Sequence, residues 1–178
     1  NKKRKPFNRT FKTTEINAEN IETIRHTWGD LHTYEEIKPV TENISLKIKN
    51  RKVRIEYILK EPQYATHIEL KFLIIQKVYK QILTKSRFKL GIIDSSAIDI
   101  GRSLKQTHIA GEVISARNIT DWNRVKVQRV ATYIPTKDHL KKISNIWIEL
   151  ETPKPYLLPH ELRILSIKLL FDERIKLD

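Results

Sequence analysis

The spacing of apolar positions changes several times along the chain, and each change predicts a different element. Residues 1–12 show no period and read as an arm, with Phe7 and Phe11 set among charges. Over 15–27, Ile16, Ile21 and Ile24 fit a short helix, weakened by Asn17, Asn20 and Thr23, and Trp28-Gly29-Asp30 follows as a turn. Ile44, Leu46 and Ile48 then alternate with Ser45 and Lys47. After Asn50-Arg51-Lys52, Val53, Ile55 and Tyr57 alternate with Arg54 and Glu56. Two alternating runs about a short polar link predict a β-hairpin with one buried face, ended by Pro62.

Over 65–84 the period lengthens. Apolar residues recur at 68, 72, 75, 79 and 82, and 70, 73, 74, 78 and 83 widen the stripe, while Lys71, Lys77, Lys80 and Lys85 keep to the polar side. This spacing predicts the principal amphipathic helix, with its stripe in the core; a helix lying on a membrane surface is the alternative. Phe88, Leu90, Ile92 and Ile93 suggest a strand, and Asp94-Ser95-Ser96 and Gly101-Arg102-Ser103 bracket a loop or turn. His108, Ala110, Glu112 and Ile114 suggest a strand with Gly111 as a bulge. Val125 and Val127 alternate, and Val130, Thr132 and Ile134 continue in the opposite phase, so a bulge is expected near Gln128-Arg129. Ile146, Ile148 and Leu150 form a strand with Trp147 on its other face. The proline-rich stretch 152–159 reads as extended loop, and 162–171 as strand or short helix, with strand favoured. The expected class is α+β: a mostly antiparallel sheet packed with one principal helix, preceded by a basic arm. The expected organisation is an arm over 1–12, an acidic linking segment over 13–43 and a single domain over 44–178.

Charge sharpens this picture. The 178 residues carry 34 Lys+Arg against 21 Asp+Glu, a net charge of +13, which calls for an acidic partner. The distribution is uneven. Lys2, Lys3, Arg4, Lys5, Arg9 and Lys12 give the arm +6, seven acids and two bases give 13–46 a net −5, and residues 47–89 carry +9. A basic arm ahead of a fold reaches for nucleic acid or anionic lipid, or is simply solvated. The acidic stretch is either a solvated face or a cover for a basic patch, on the same or a neighbouring subunit. On the expected hairpin, Lys47, Lys49, Arg51, Lys52 and Arg54 share the outer face, where they are either solvated or dock an anion.

Candidate chemistry is sparse. The chain has no Cys, which removes disulfides, Cys-based zinc sites and thiol catalysis and suits a reducing compartment. No G-x-G-x-x-G or Walker A loop is present, nor H-E-x-x-H. His26 and His32 flank Asp30, a loose arrangement that could bind a metal but lacks an i, i+4 spacing or a further ligand, so a surface-turn pair is the plainer reading. Glu69-x-Lys71 matches part of a nuclease signature but falls on the expected helix without the preceding Asp. No nucleophile, base and oxyanion site assemble, so the chain reads as a non-enzyme needing no cofactor. Among the aromatics, Tyr57, Phe72 and Tyr79 look like core, and Trp28, Trp122 and Trp147 are the candidates for exposure.

The layout resembles that of a rhabdovirus matrix protein, in size the short plant-rhabdovirus type, over roughly residues 28–134. The likeness runs from Trp28-Gly29-Asp30-Leu31-His32-Thr33-Tyr34 through the basic strand pair 44–59 and the helix 65–84 into Phe88-Lys89-Leu90-Gly91-Ile92-Ile93. It ends on Thr107-His108-Ile109-Ala110-Gly111-Glu112-Val113, and the family's proline-rich budding motif is missing. The resemblance implies a viral structural protein that self-assembles, condenses the nucleoprotein–RNA core and bridges it to an anionic membrane, with a glycoprotein tail as a further partner. It implies a place under the virion envelope and in host cytoplasm, membrane-associated, with the nucleus as a further compartment. On this sequence Lys2, Lys3, Arg4, Lys5, Phe7, Arg9, Phe11 and Lys12 would meet the membrane, and Lys47, Lys49, Arg51, Lys52 and Arg54 the nucleocapsid. The alternative is a coat or movement protein that binds RNA or DNA directly by charge.

Overall fold

The computed structural model describes residues 11–29, 33–76, 87–104, 109–110, 113–114, 125–133, 142–152 and 161–173. Among them every regular element is a strand and none is a helix, with 74% in strands. The class is therefore all-β, which corrects the expected α+β fold. The strands are β1 (Phe11–Glu15), β2 (Ile21–Trp28), β3 (Thr33–Glu36), β4 (Ile44–Lys47), β5 (Lys52–Tyr64), β6 (His67–Gln76) and β7 (Arg87–Asp94). They continue with β8 (Asp99–Leu104), β9 (Ile109–Ala110), β10 (Val113–Ile114), β11 (Val125–Tyr133), β12 (Lys142–Glu151) and β13 (Glu161–Asp172).

They form two sheets. A seven-stranded sheet runs β1-β13-β6-β11-β10, with β4 also on β13 and β9 also on β11. A six-stranded sheet runs β3-β2-β5-β12-β7-β8. Every recorded pairing is antiparallel. The inner faces share one apolar cluster, in which Ile68, Leu70 and Phe72 of one sheet meet Tyr57, Leu90 and Ile148 of the other. Phe72 and Phe88 touch across the layers with ring centroids 5.4 Å apart. Each fully buried Ile or Leu contributes roughly 2 kcal/mol relative to exposure, so this interlayer is the main source of cohesion.

The expected helix fails at β6, for a physical reason. Ile68, Leu70 and Phe72 are buried at 0%, 0% and 1% exposure while Glu69 and Lys71 are only half-buried, an alternation of period two. The run Leu73-Ile74-Ile75 is apolar on both phases and imitates a helical stripe. The paired neighbours decide the outcome, since β6 lies between β13 and β11 and both satisfy its backbone. Residues 77–84 of that expectation lie outside the described residues. The short helix expected over 15–27 is likewise replaced, by the end of β1, a turn over 18–20 and β2, which pairs with both β3 and β5.

The expected hairpin over 44–57 is also corrected. β4 pairs with β13, Ile44 opposite Ile164 and Leu46 opposite Leu162, while β5 pairs with β2 and β12 in the other sheet. Alternation correctly marked which side chains point inward. It carries no information on whether two such strands lie side by side or face each other across the core. Pro62 does not end β5 but falls where the register on β12 jumps from Ile58 to Gln63, so no ladder donor is lost there. Gly101-Arg102-Ser103 belongs to β8 rather than a loop, and β11 runs in unbroken register along β6 with no slip at Gln128-Arg129. Gly111 and the stretch 153–159 lie outside the described residues.

Trp147 was a candidate for exposure and is 4% exposed. It lies on the outer face of the six-stranded sheet over Gly91 and Gly101, where a Cβ on either glycine would overlap its six-membered ring. Its Nε1–H donates to Asp99 Oδ1 at 2.7 Å, and the Arg54 guanidinium sits 4.1 Å above it. Three strands are thereby clamped by one indole. Between the sheets, the tight corner Ala65-Thr66 joins β5 to β6. Thr66 fixes it to β13, its hydroxyl donating to Leu170 O at 3.0 Å and accepting from Asp172 N at 2.9 Å.

Two stability measurements follow. Gly91→Ala forces the indole of Trp147 out of its seat and should lower stability by about 1–3 kcal/mol, a fall in Tm of roughly 3–10 °C by calorimetry. The Tyr57 hydroxyl is buried without a hydrogen-bond partner among the described residues, and burial pushes its phenol well above the ordinary value. Tyr57→Phe removes that unpaired group and should leave stability unchanged or raise it by about 1 kcal/mol in urea titrations.

Candidate anion-binding site

Phe11 and Lys12 of the expected arm fall in β1, paired with Asp172 and Phe171 of β13, respectively. Phe11 is half-buried and meets the His67 ring edge-on at 5.1 Å, so it is committed to the fold, while Lys12 is exposed. Lys2, Lys3, Arg4, Lys5, Phe7 and Arg9 lie outside the described residues.

The five interior cations do not share one face. Lys52 and Arg54 lie on the outer face of β5 opposite β12, where Glu149 is 7% exposed. Lys52 Nζ stands 3.2 Å and Arg54 Nη1 3.9 Å from its carboxylate. Arg54 also reaches Asp99 at 3.3 Å and Glu56 at 3.5 Å. Arg51 Nε donates to Thr152 O at 3.2 Å. Lys52 and Arg54, expected to be either solvated or docked on an anion, thus have a carboxylate of the same chain beside them. Sequence order hid it, because Glu149 lies about a hundred residues away.

Lys47 and Lys49 behave differently. Both are exposed, and neither makes an ion pair with a described residue. They border a cavity of about 350 Å³ lined by His26, Trp28, Glu35, Ser45, Leu46, Asn50 and Val53. The site arises where the edge of the six-stranded sheet meets β4 of the other. β2 turns Ile24, His26 and Trp28 to one side by its period of two, and past Ile24 the apolar filling of the interlayer gives way to an imidazole and an indole. Gly29, at φ +68°, ends β2 in a conformation that favours glycine, and its N–H bonds Lys52 O at 3.1 Å.

His26 and Glu35 face each other across the β2–β3 ladder, Nδ1 to Oε1 at 3.3 Å. The imidazole also packs on the Trp28 ring at 5.1 Å with the planes inclined by 42°. His26 Nε2 is buried and has no hydrogen-bond partner among the described residues. Opposite, Ser45 Oγ bonds to the Glu161 carboxylate, which is also held by Arg163 Nε at 2.9 Å. The arrangement offers two exposed ammonium groups with no ion pair among the described residues, an aromatic surface and a carboxylate in one concavity. These are the elements of recognition for an anion that also carries a planar ring.

Sequence reasoning singled out Lys47 and Lys49 but not Glu35, Asn50 or Val53 as their neighbours. Trp28 was noted for exposure and His26 for a loose metal pair with His32 and Asp30, which lie outside the described residues. Among the described residues no group of three or more His, Asp or Glu is placed to hold a metal ion. Glu69 and Lys71, set aside because of the expected helix, lie on β6 beside Lys168 and Ser166 of β13.

No protein-family profile and no curated protein matches the chain. Among solved structures, the enzymatically active domain of tailspike protein 4 of bacteriophage CBA120 aligns with 8% identity and a TM-score of 0.35. The alignment covers 90% of this chain and 19% of that one. The functional reading therefore rests on the chain's own residues.

Glu149→Gln tests the internal neutralisation. Loss of the buried carboxylate leaves Lys52 without its ion pair and takes one of three carboxylates from Arg54, and should lower stability by about 2 kcal/mol in urea unfolding. Adding Lys52→Gln should recover part of that loss, giving a non-zero coupling in the double-mutant cycle.

Proposed function

We propose that this chain is a non-enzymatic structural protein that binds nucleic acid directly through the phosphate backbone, as a small coat or movement protein does. The observation that carries this reading is the sorting of its cations. Arg51, Lys52 and Arg54 are engaged with the fold's own carbonyls and carboxylates. Exposed Lys47 and Lys49 stand beside an aromatic-lined cavity, and Lys2, Lys3, Arg4, Lys5 and Arg9 precede β1 in sequence. Exposed lysines with no ion pair among the described residues attract phosphate by releasing condensed counterions, which needs no catalytic geometry. A closely packed double sheet is also, by fold-level analogy, an architecture of viral capsid domains.

The matrix-protein reading has a separate support. β3 is the edge of the six-stranded sheet and carries Glu35, Glu36 and a 58%-exposed Tyr34. An acidic strand at the edge of the described sheet suits the basic arm of a neighbouring copy and hence head-to-tail assembly. Contact with an anionic membrane would then fall to Lys2, Lys3, Arg4, Lys5 and Phe7, since Phe11 is docked on His67.

The test is a full-length variant with Lys2, Lys3, Arg4 and Lys5 all replaced by Ser, which leaves β1 intact. Binding of a single-stranded RNA is followed by anisotropy between about 50 and 200 mM salt. Neutralising four phosphate contacts should flatten the slope of log affinity against log salt by roughly 3. An unchanged slope, together with loss of flotation on acidic liposomes, would instead favour the matrix reading.

A further inference from the structure

We propose that the cavity between β2, β3 and β4 is a subsite for one nucleotide of a single strand, and that it prefers a base carrying an exocyclic amino group. This rests on the nucleic-acid reading above and goes further, naming the residues and the base chemistry. The volume of about 350 Å³ lies at the lower end of small-molecule sites and suits one nucleotide unit rather than a duplex. Leu46, Val53 and Trp28 supply apolar wall, and the indole offers a surface on which a base can stack. Lys47 and Lys49, exposed and without acidic partners among the described residues, supply the phosphate contact.

Glu35 gives the site its selectivity. A cavity for a bare anion gains nothing from a carboxylate in its lining. Here Glu35 is 60% exposed, with Oε1 held by His26 at 3.3 Å and Oε2 without a protein partner among the described residues. A nucleotide resolves the conflict, because it carries negative charge on its phosphate and a hydrogen-bond donor on the amino group of cytosine, adenine or guanine. A carboxylate accepts from such an amino group, whereas the matching carbonyl of uracil or thymine repels it. His26 is the positioning residue, fixing Glu35 through Nδ1 while its ring supports Trp28.

The experiment uses the full-length protein with indole-labelled tryptophan, the Trp28 signal being identified from Trp28→Phe. Cytidine monophosphate, uridine monophosphate and inorganic phosphate are titrated separately at low salt. The cytidine nucleotide should shift the Trp28 signal saturably and bind roughly tenfold tighter than the uridine nucleotide. Glu35→Ala should bring the two close to parity. The variant Lys47→Ala/Lys49→Ala, altered only at exposed positions, should lower the salt slope for a short oligonucleotide by roughly 1.4.

Equal response to all three ligands would overturn the proposal in favour of a plain anion site. A silent Trp28 signal and an unchanged slope in the lysine variant, with arm-dependent RNA binding intact, would overturn the subsite and leave the function standing. Absence of RNA binding even at low salt would remove the nucleic-acid reading itself, and the subsite with it.

Discussion

The apolar layer between the two sheets is the constraint on which the remaining features depend. Successive parts of the chain cross from one sheet to the other: β1 lies in the seven-stranded sheet, β2 and β3 in the six-stranded one, β4 returns, β5 crosses, and β6 crosses back. Each crossing must deliver an apolar face to the same layer, and the alternation of Val53, Ile55 and Tyr57 or of Ile68, Leu70 and Phe72 meets that demand. Corners such as Ala65-Thr66 are held by long-range bonds to β13 rather than by local turn chemistry. The fold is dominated by contacts distant in sequence, an arrangement that closes only when several strands are in place together.

The outer face of the six-stranded sheet shows how such a fold disposes of charge. Lys52 and Arg54 from β5 meet Glu149 from β12, and Arg54 covers Trp147, which in turn rests on β7 and β8 through two glycines. A cluster that looks like a docking surface for an external anion is largely a structural device joining four strands. Net charge reports what partner a protein attracts, but the cations free to attract it are those the fold leaves without a counter-charge.

That sorting places the candidate site at the margin of the interlayer, where β2 runs on from buried Ile21 and Ile24 to His26 and Trp28. Lys47 and Lys49 could be singled out from sequence because alternation in β4 puts Lys47 outward, and a +9 segment draws attention to itself. Glu35 could not, since its relevance comes from the β2–β3 register that sets it against His26. The helix expected over 65–84 misled for a related reason. A strand apolar on both phases, as at Leu73-Ile74-Ile75, satisfies a helical template as well as a strand, and only its paired neighbours distinguish them.

By itself the sequence determined the in-and-out pattern of β5, β7 and β12, the turn at Asp94-Ser95-Ser96, the excess of positive charge and its concentration in two segments. Those properties are local or additive, and a residue's type and spacing suffice to state them. The tertiary structure alone decided that β4 and β5 belong to different sheets, that 67–76 is strand, that Trp147 is covered and that Arg54, unlike Lys47 and Lys49, is paired with carboxylates among the described residues. Each of these is a matter of pairing. A backbone hydrogen bond or an ion pair does not depend on how many residues separate its partners along the chain, so only the assembled sheets can assign it.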